Sequence, residues 1–267
     1  MCVICYKPKG AKLPSRDTLE TCFINNPHGA GYAVWRNGKK NLYYKKGFFD
    51  FDSLYSALLS EKITDKDIVG VHFRIATHGA LEPKNCHPFF VSAEKESPFS
   101  TQGSCKSVLF HNGILNKTYS YKKDVSDTYL FTLALGTREK ELIARGEDAL
   151  KNFISKETEG SRILYFHASE KTVIMSGSWE FDKDTGCYFS NNSYLPYTWR
   201  STSFYEPITS KNQSFLACPD CGERHNFKCI SRMHDLHLCE ECGTLFDSFG
   251  YPLELVDRQD NPYQSKY

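Results

Sequence analysis

Cys2 is the residue of this sequence with the greatest chemical reach. If Met1 is removed, one residue carries both a thiol and a free α-amino group. An α-amine titrates near ~7.7–8.0, so much of it is a neutral base at cytoplasmic pH. It can take the thiol proton, directly or through a water, and activate the nucleophile without a catalytic histidine. The competing reading is that Cys2 is a small buried hydrophobe. Three further positions have side chains suited to a reaction centre. Arg74 directly follows an apolar run and is placed to grip a carboxylate with two prongs; it could equally serve a structural ion pair. Asn112-Gly113 sets a side-chain amide N–H beside a backbone N–H. That pair suits an oxyanion hole, whose donors stand about 3 Å from a developing negative charge, and it also suits an ordinary turn. Asp127 either complements the dipole of a helix it begins or holds a substrate ammonium. His28, His72, His78, His87 and His111 each read as structural or solvated.

A second set lies near the C-terminus. Cys218-Pro219-Asp220-Cys221-Gly222 and Cys239-Glu240-Glu241-Cys242-Gly243 form two Cys-x-x-Cys knuckles. Their spacing is that of a metal site. Four thiolates, Cys218, Cys221, Cys239 and Cys242, suit a closed structural Zn²⁺ site, against the alternative of two redox pairs. So short an insert has little apolar core, and the metal would supply much of its folding free energy. Cys229, His225, His234 and His237 lie between the knuckles as lesser candidates. Arg224, Lys228 and Arg232 give such a ribbon weak support as a nucleic-acid contact, offset by its Asp and Glu neighbours.

Elements must position these residues. Val3-Ile4-Cys5-Tyr6 reads as a short buried strand. Residues 8 to 31 are rich in Pro, Gly and Asn and read as a loop. Tyr32–Trp35 and Leu42–Tyr44 flank Asn37-Gly38, a strong hairpin signal. Asp52 is a plausible N-cap for a helix to about Ser60. Ile68–Phe73 is a buried-strand pattern that delivers Arg74-Ile75-Ala76-Thr77-His78-Gly79. Residues 92 to 106 are expected to form a mobile loop. Ser107–Phe110 is a strand that delivers His111-Asn112-Gly113, and Ser126 caps a long helix beginning at Asp127. A second helix is expected over about Glu147 to Ser155, then a hairpin from Ile163–His167 and Thr172–Met175, and a strand at Cys187–Ser190. Strands and helices mix without βαβ alternation, which argues for α+β layers over a doubly wound sheet.

The 267 residues allow one large domain, or one of about 200 residues with a small appendage. Lys and Arg number 33 against 32 Asp and Glu, so bulk charge gives no reason to expect nucleic acid or an anionic membrane. No apolar run reaches transmembrane length and no signal peptide is evident. A cytoplasmic protein is expected, with its eleven cysteines as thiols, metal ligands or a nucleophile rather than a disulfide frame.

Cys2, then Arg74-Ile75-Ala76-Thr77-His78-Gly79, then Asn85-Cys86-His87-Pro88, then His111-Asn112-Gly113-Ile114-Leu115, then Ser126-Asp127-Thr128 together resemble the class II glutamine amidotransferases, which are N-terminal-nucleophile hydrolases. The resemblance covers about residues 2 to 200. It implies a four-layer αββα sandwich over 2–205, followed by the zinc ribbon at 214–250 and a tail at 251–267. It further implies that Cys2 attacks the side-chain amide of glutamine, with Asn112 and Gly113 as the oxyanion hole. By the same matching, Arg74 would hold the α-carboxylate, Asp127 the α-ammonium, and Thr77 and His78 would line the pocket. Val3 stands where many members have Gly, and Asn26–Tyr32 replaces the Arg-Gly-x-Asp-like segment of the larger synthases, as in stand-alone members. Ammonia would pass to a separate acceptor enzyme. The alternatives are a stand-alone amidohydrolase of another γ-glutamyl amide, or a silent binding module with the ribbon as contact surface.

Overall fold

The computed structural model describes residues 2–75, 80–94, 99–115 and 126–195, Cys242, and the backbone of 227–231, 236–239 and 245–246. The chain divides into two units, Met1–Ser203 and Phe204–Tyr267.

In the first unit, strand β1 (Val3–Lys7) lies between β4 (Ile68–Phe73) and the two-residue β11 (Tyr188–Phe189). Beyond β4 the sheet continues through β2 (Ala30–Trp35), β3 (Leu42–Phe48) and β6 (Gln102–Cys105), and β10 (Glu180–Phe181) closes the other edge. A second sheet runs β5 (Phe89–Phe90), β7 (Ser107–Asn112), β8 (Arg162–His167) and β9 (Thr172–Ser176). Every pairing is antiparallel.

Alternation along the strands sorts the core into three apolar clusters, because successive side chains face opposite sides of a sheet. Val3 and Cys5 of β1, with Val69, Val71 and Phe73 of β4, pack on helices α1 (Arg16–Asn25) and α2 (Phe51–Ser60) through Leu19, Phe23, Leu54 and Leu58. Ile4 and Tyr6 point the other way and meet Val108, Phe110, Leu164 and Phe166 of the second sheet. Leu109, Ile163 and Tyr165 leave that sheet's far face for α3 (Asp127–Ala144) and α4 (Glu147–Glu157), against Phe131, Leu135, Leu150 and Ile154. Gly70 lets the sheets approach here: a Cβ there would stand 2.7 Å from the Phe110 ring.

Three expectations need correction. The segment read as loop from 8 to 31 contains α1, capped by Ser15, whose hydroxyl accepts from Thr18 N–H. Leu19, Cys22 and Phe23 give it one buried stripe, and flanking Pro and Asn residues hid that short period. Asp50, not Asp52, caps α2 and accepts from Ser53 N–H at 2.8 Å; Asp52 sits in the first turn and pairs with Arg16 at 2.7 Å. The stretch read as a mobile loop at 92 to 106 holds β6, which pairs with β3 from Leu42↔Cys105 to Lys45↔Gln102.

In the second unit, β12 (Phe227–Ser231), β13 (Leu236–Cys239) and β14 (Leu245–Phe246) form an antiparallel sheet in that order. No helix among the described residues is long and apolar enough to cross a membrane.

Candidate active site

Strand register brings the sequence-distant candidates to one end of the two sheets. Val3 pairs with Phe73, so Cys2 and Arg74 flank one rung, and Ala30 on β2 pairs with the same Phe73. On the second sheet, Asn112 is the last residue of β7 and pairs with Arg162. Cys2 is partly buried; its Sγ accepts from Ile75 N–H at 3.3 Å and faces the Ile75 carbonyl at 3.5 Å. Burial pushes its thiol above the ordinary range, against smaller opposing pulls from the Ile75 N–H and the Arg74 charge.

The backbone that follows Cys2, on both sides of Val3, is tied to the end of the strand expected at Cys187–Ser190 and the residue after it, to which sequence reading gave no role in the site. Asn191 donates through Nδ2 to the Cys2 carbonyl at 2.7 Å. Ser190 Oγ accepts from Ile4 N–H at 2.8 Å and from Asn112 Nδ2 at 2.9 Å. Nucleophile and amide therefore hang from one dipeptide, Ser190-Asn191. The only sequence signal for it was a polar pair following an apolar strand.

Asn112 is buried, and its Oδ1 has no hydrogen-bond partner among the described residues. Gly113 follows at φ +155°, and a Cβ there would meet Ser161 Cβ at 2.8 Å. Ser161 Oγ also bonds His111 Nε2 at 3.0 Å, and His111 Nδ1 bonds Thr128 Oγ1 at 2.8 Å. The loop carrying Asn112 and Gly113 is thus pinned through His111 to the start of α3. Asp127 pins it a second time, accepting from Leu115 N–H at 2.9 Å while also accepting from Thr128 N–H at 2.7 Å.

Arg74 is buried and donates to the Ala80 carbonyl at 3.1 Å; burial lowers its pKa, and the Cys86 and Cys2 thiols counter that pull. Thr77 and His78 lie outside the described residues. Near Arg74 sit Lys46, which sequence reading passed over, and Cys86, which it quoted in a motif without a role. Lys46, on β3, donates to the Lys84 carbonyl at 3.0 Å and lies over the Phe89 ring at 4.0 Å. Burial pushes it down to about 7. Cys86 is raised by burial and pulled back by the Arg74 and Lys46 charges.

Among the described residues no three His, Cys, Asp or Glu side chains come together as a metal site. Cys218, Cys221 and the Cys239 side chain lie outside them. Cys239 ends β13, and Cys242 is exposed in the turn that leads to β14.

No family model and no curated protein matches the chain. Among solved structures, it is similar to the glutamine phosphoribosylpyrophosphate amidotransferase of B. subtilis in complex with ADP and GMP, with 20% identity and a TM-score of 0.46. It is also similar to a structure described as the allosteric regulatory enzyme of purine biosynthesis, with 21% identity and a TM-score of 0.47. Each match covers 73% of this chain and 42% of the other, so the chain spans about two fifths of their length. TM-scores below 0.5 leave the functional reading to this chain's own residues.

Proposed function

We propose that this chain is a cysteine amidohydrolase that cleaves the side-chain amide of glutamine, on the four-layer αββα sandwich of the N-terminal-nucleophile hydrolases. The observation that supports it most is the joint tether of Cys2 and Asn112 through Ser190 and Asn191. The three apolar clusters, helix to sheet, sheet to sheet and sheet to helix, are what such a sandwich requires.

A thiol raised by burial is protonated at neutral pH and needs a base. The α-amine of Cys2, once Met1 is removed, titrates low enough to serve. Sγ attacks the amide carbon and its proton passes by way of the amine to the leaving nitrogen. The C–N bond breaks, ammonia departs and a glutamyl thioester remains, which water hydrolyses to glutamate. The orphaned Asn112 Oδ1 has a direct meaning in this reading. If the amide is turned over, the Ser190 hydroxyl donates to Oδ1 and the NH₂ takes the unpartnered place. Together with Gly113 N–H, it then faces the developing oxyanion. Arg74 receives the substrate carboxylate and Asp127 its ammonium, with Thr77 and His78 beside them. Ammonia becomes available to a separate acceptor enzyme. Cys218, Cys221, Cys239 and Cys242 would hold a structural zinc in the second unit, a reading supported by their two Cys-x-x-Cys spacings.

Intact mass before and after 6-diazo-5-oxo-L-norleucine tests the reading, alongside ammonia release from glutamine. Loss of one methionine and one adduct mapped to Cys2 is expected. Retained Met1 with neither adduct nor ammonia release would overturn it.

A further inference from the structure

The end of the two sheets opposite Cys2 gathers cations from turns far apart in sequence. β1 runs away from Cys2 to Lys7, about 17 Å at the rise of an antiparallel strand. At that far end a cavity of about 540 Å³ opens between the sheets. It is lined by Lys9 after β1, Arg36, Lys39 and Lys40 of the β2–β3 hairpin, Lys66 before β4, and Lys171 of the β8–β9 hairpin. Among the described residues no carboxylate lines it. Arg36 is already paired with Glu61 and Asp67, at 3.0 Å each. The five lysines are exposed, and the recorded contact of Lys9 Nζ is the Asn37 side-chain oxygen at 3.3 Å.

The track does not stop there. Lys9 also lines a wider groove of about 880 Å³, to which Lys12, Lys151 and Lys183 contribute, with Asp184 as the acidic member. Phe181, 51% exposed, lines the same groove. The two adjoining grooves are thus lined mainly by lysines, with Asp65, Glu170 and Asp182 on the same turns outside the linings. Self-repulsion among so many like charges is unfavourable unless an anion offsets it.

We propose that this end of the first unit binds the backbone of a single-stranded nucleic acid, independently of the chemistry proposed for Cys2. Lysine ammoniums on flexible stems suit phosphates as point charges without reading sequence. A track across two grooves that share Lys9 is longer than one nucleotide needs. An exposed phenylalanine in the groove offers a face on which an unstacked base can lie, and a duplex would not present one.

The test is anisotropy of a fluorescein-labelled fifteen-nucleotide uridine RNA titrated with the full chain at several salt concentrations. Binding should weaken with salt, with a log–log slope of about −3 if four phosphates are neutralised. The combined variant Lys39→Glu, Lys40→Glu, Lys66→Glu, Lys171→Glu should bind at least tenfold more weakly. A charge-matched variant on exposed positions elsewhere, Arg138→Glu, Lys140→Glu, Arg145→Glu, Lys156→Glu, should bind within about twofold of the parent. Thermal unfolding of both variants verifies the fold. Four outcomes would overturn the proposal: no binding by the parent chain, equal loss in both variants, unaltered binding in the first variant, or displacement of the RNA by polyglutamate at equal charge. The third would locate binding outside this end, and the fourth would point to an acidic protein partner.

Discussion

Ser190 tests the proposed site more sharply than Cys2 does, because in that reading it acts only through Asn112 and the Cys2 backbone. Its hydroxyl oxygen takes two buried donors, Ile4 N–H and Asn112 Nδ2. Ser190→Ala leaves Ile4 N–H without its acceptor and the Asn112 amide without its partner in either orientation, at about 1–3 kcal/mol in stability. If Asn112 stabilises an oxyanion, it also frees that amide to rotate. Loss of one oxyanion donor lowers kcat by about 10²–10³. The expected signature is a fall in kcat for glutamine hydrolysis with KM nearly unchanged; a matched rise in KM alone would assign Asn112 to ground-state binding. Cys2, Arg74, Asn112, Gly113 and Asp127 were legible because each is a residue type with a specific chemistry at the end of a strand or the start of a helix. Ser190 and Asn191 were not, because a hydroxyl and an amide gain meaning only from what folds against them. Lys46 was illegible for another reason. It sits in an alternating strand where lysine normally faces water, and only the packing of Phe89 and the 80–90 segment covers it.

At the scale of elements, the two aspartates at the start of α2 separate capping from surface pairing. Asp50 accepts from Ser53 N–H, an end donor that has no partner within the helix. Asp50→Ala should cost about 1 kcal/mol, or roughly 2–4 °C in Tm for a unit of this size. Asp52 offers its carboxylate to Arg16 on the surface, with its side chain 84% exposed. Asp52→Ala should shift Tm by less than half as much, as exposed pairs do. Differential scanning fluorimetry of the two variants checks the order, and equal shifts would contradict the assignment of the cap. Gly113 makes a parallel case on the loop leaving β7. Its φ of +155° and the wall of Ser161 leave no place for a methyl group. Gly113→Ala should destabilise by about 1–3 kcal/mol through backbone strain and overpacking, and the displaced N–H should lower hydrolysis with it. Strand and helix positions were legible from pattern, since β1, β4 and β7 carry short continuous apolar runs and α3 spaces its apolar residues at helical intervals. The errors fell where a short element was flanked by turn residues, as α1 was, or lacked apolar alternation, as in the Gln102–Cys105 strand.

At the scale of the whole molecule, three histidines buried where the two sheets meet make stability depend on acid. His72 on β4 donates through Nε2–H to the His111 carbonyl, 3.0 Å away, and so links the first sheet to the second. His87 stacks on His72 with ring centroids 4.1 Å apart, and both its ring nitrogens lack partners among the described residues. Burial is the largest cause holding all three neutral: His72 is pushed down to about 3, His111 to about 4, and His87 well below its ordinary value, with the neighbouring histidines, Lys46 and Arg74 adding to the last. A histidine whose folded pKa lies below the unfolded value of about 6.5 binds its proton more readily when the chain is unfolded. The native state therefore keeps its full stability above that value and loses it as pH falls towards the folded values. Between pH 6.5 and about pH 5, His72 and His111 each remove about 2 kcal/mol, and His87 acts in the same direction. Urea unfolding midpoints across that interval should fall steeply. His87→Phe keeps a ring against His72 and Phe89 while deleting one titrating group, so it should flatten the slope by close to one proton. An unchanged slope would mean that His87 already carries its proton in the folded chain, and that the contact between the sheets tolerates a charge.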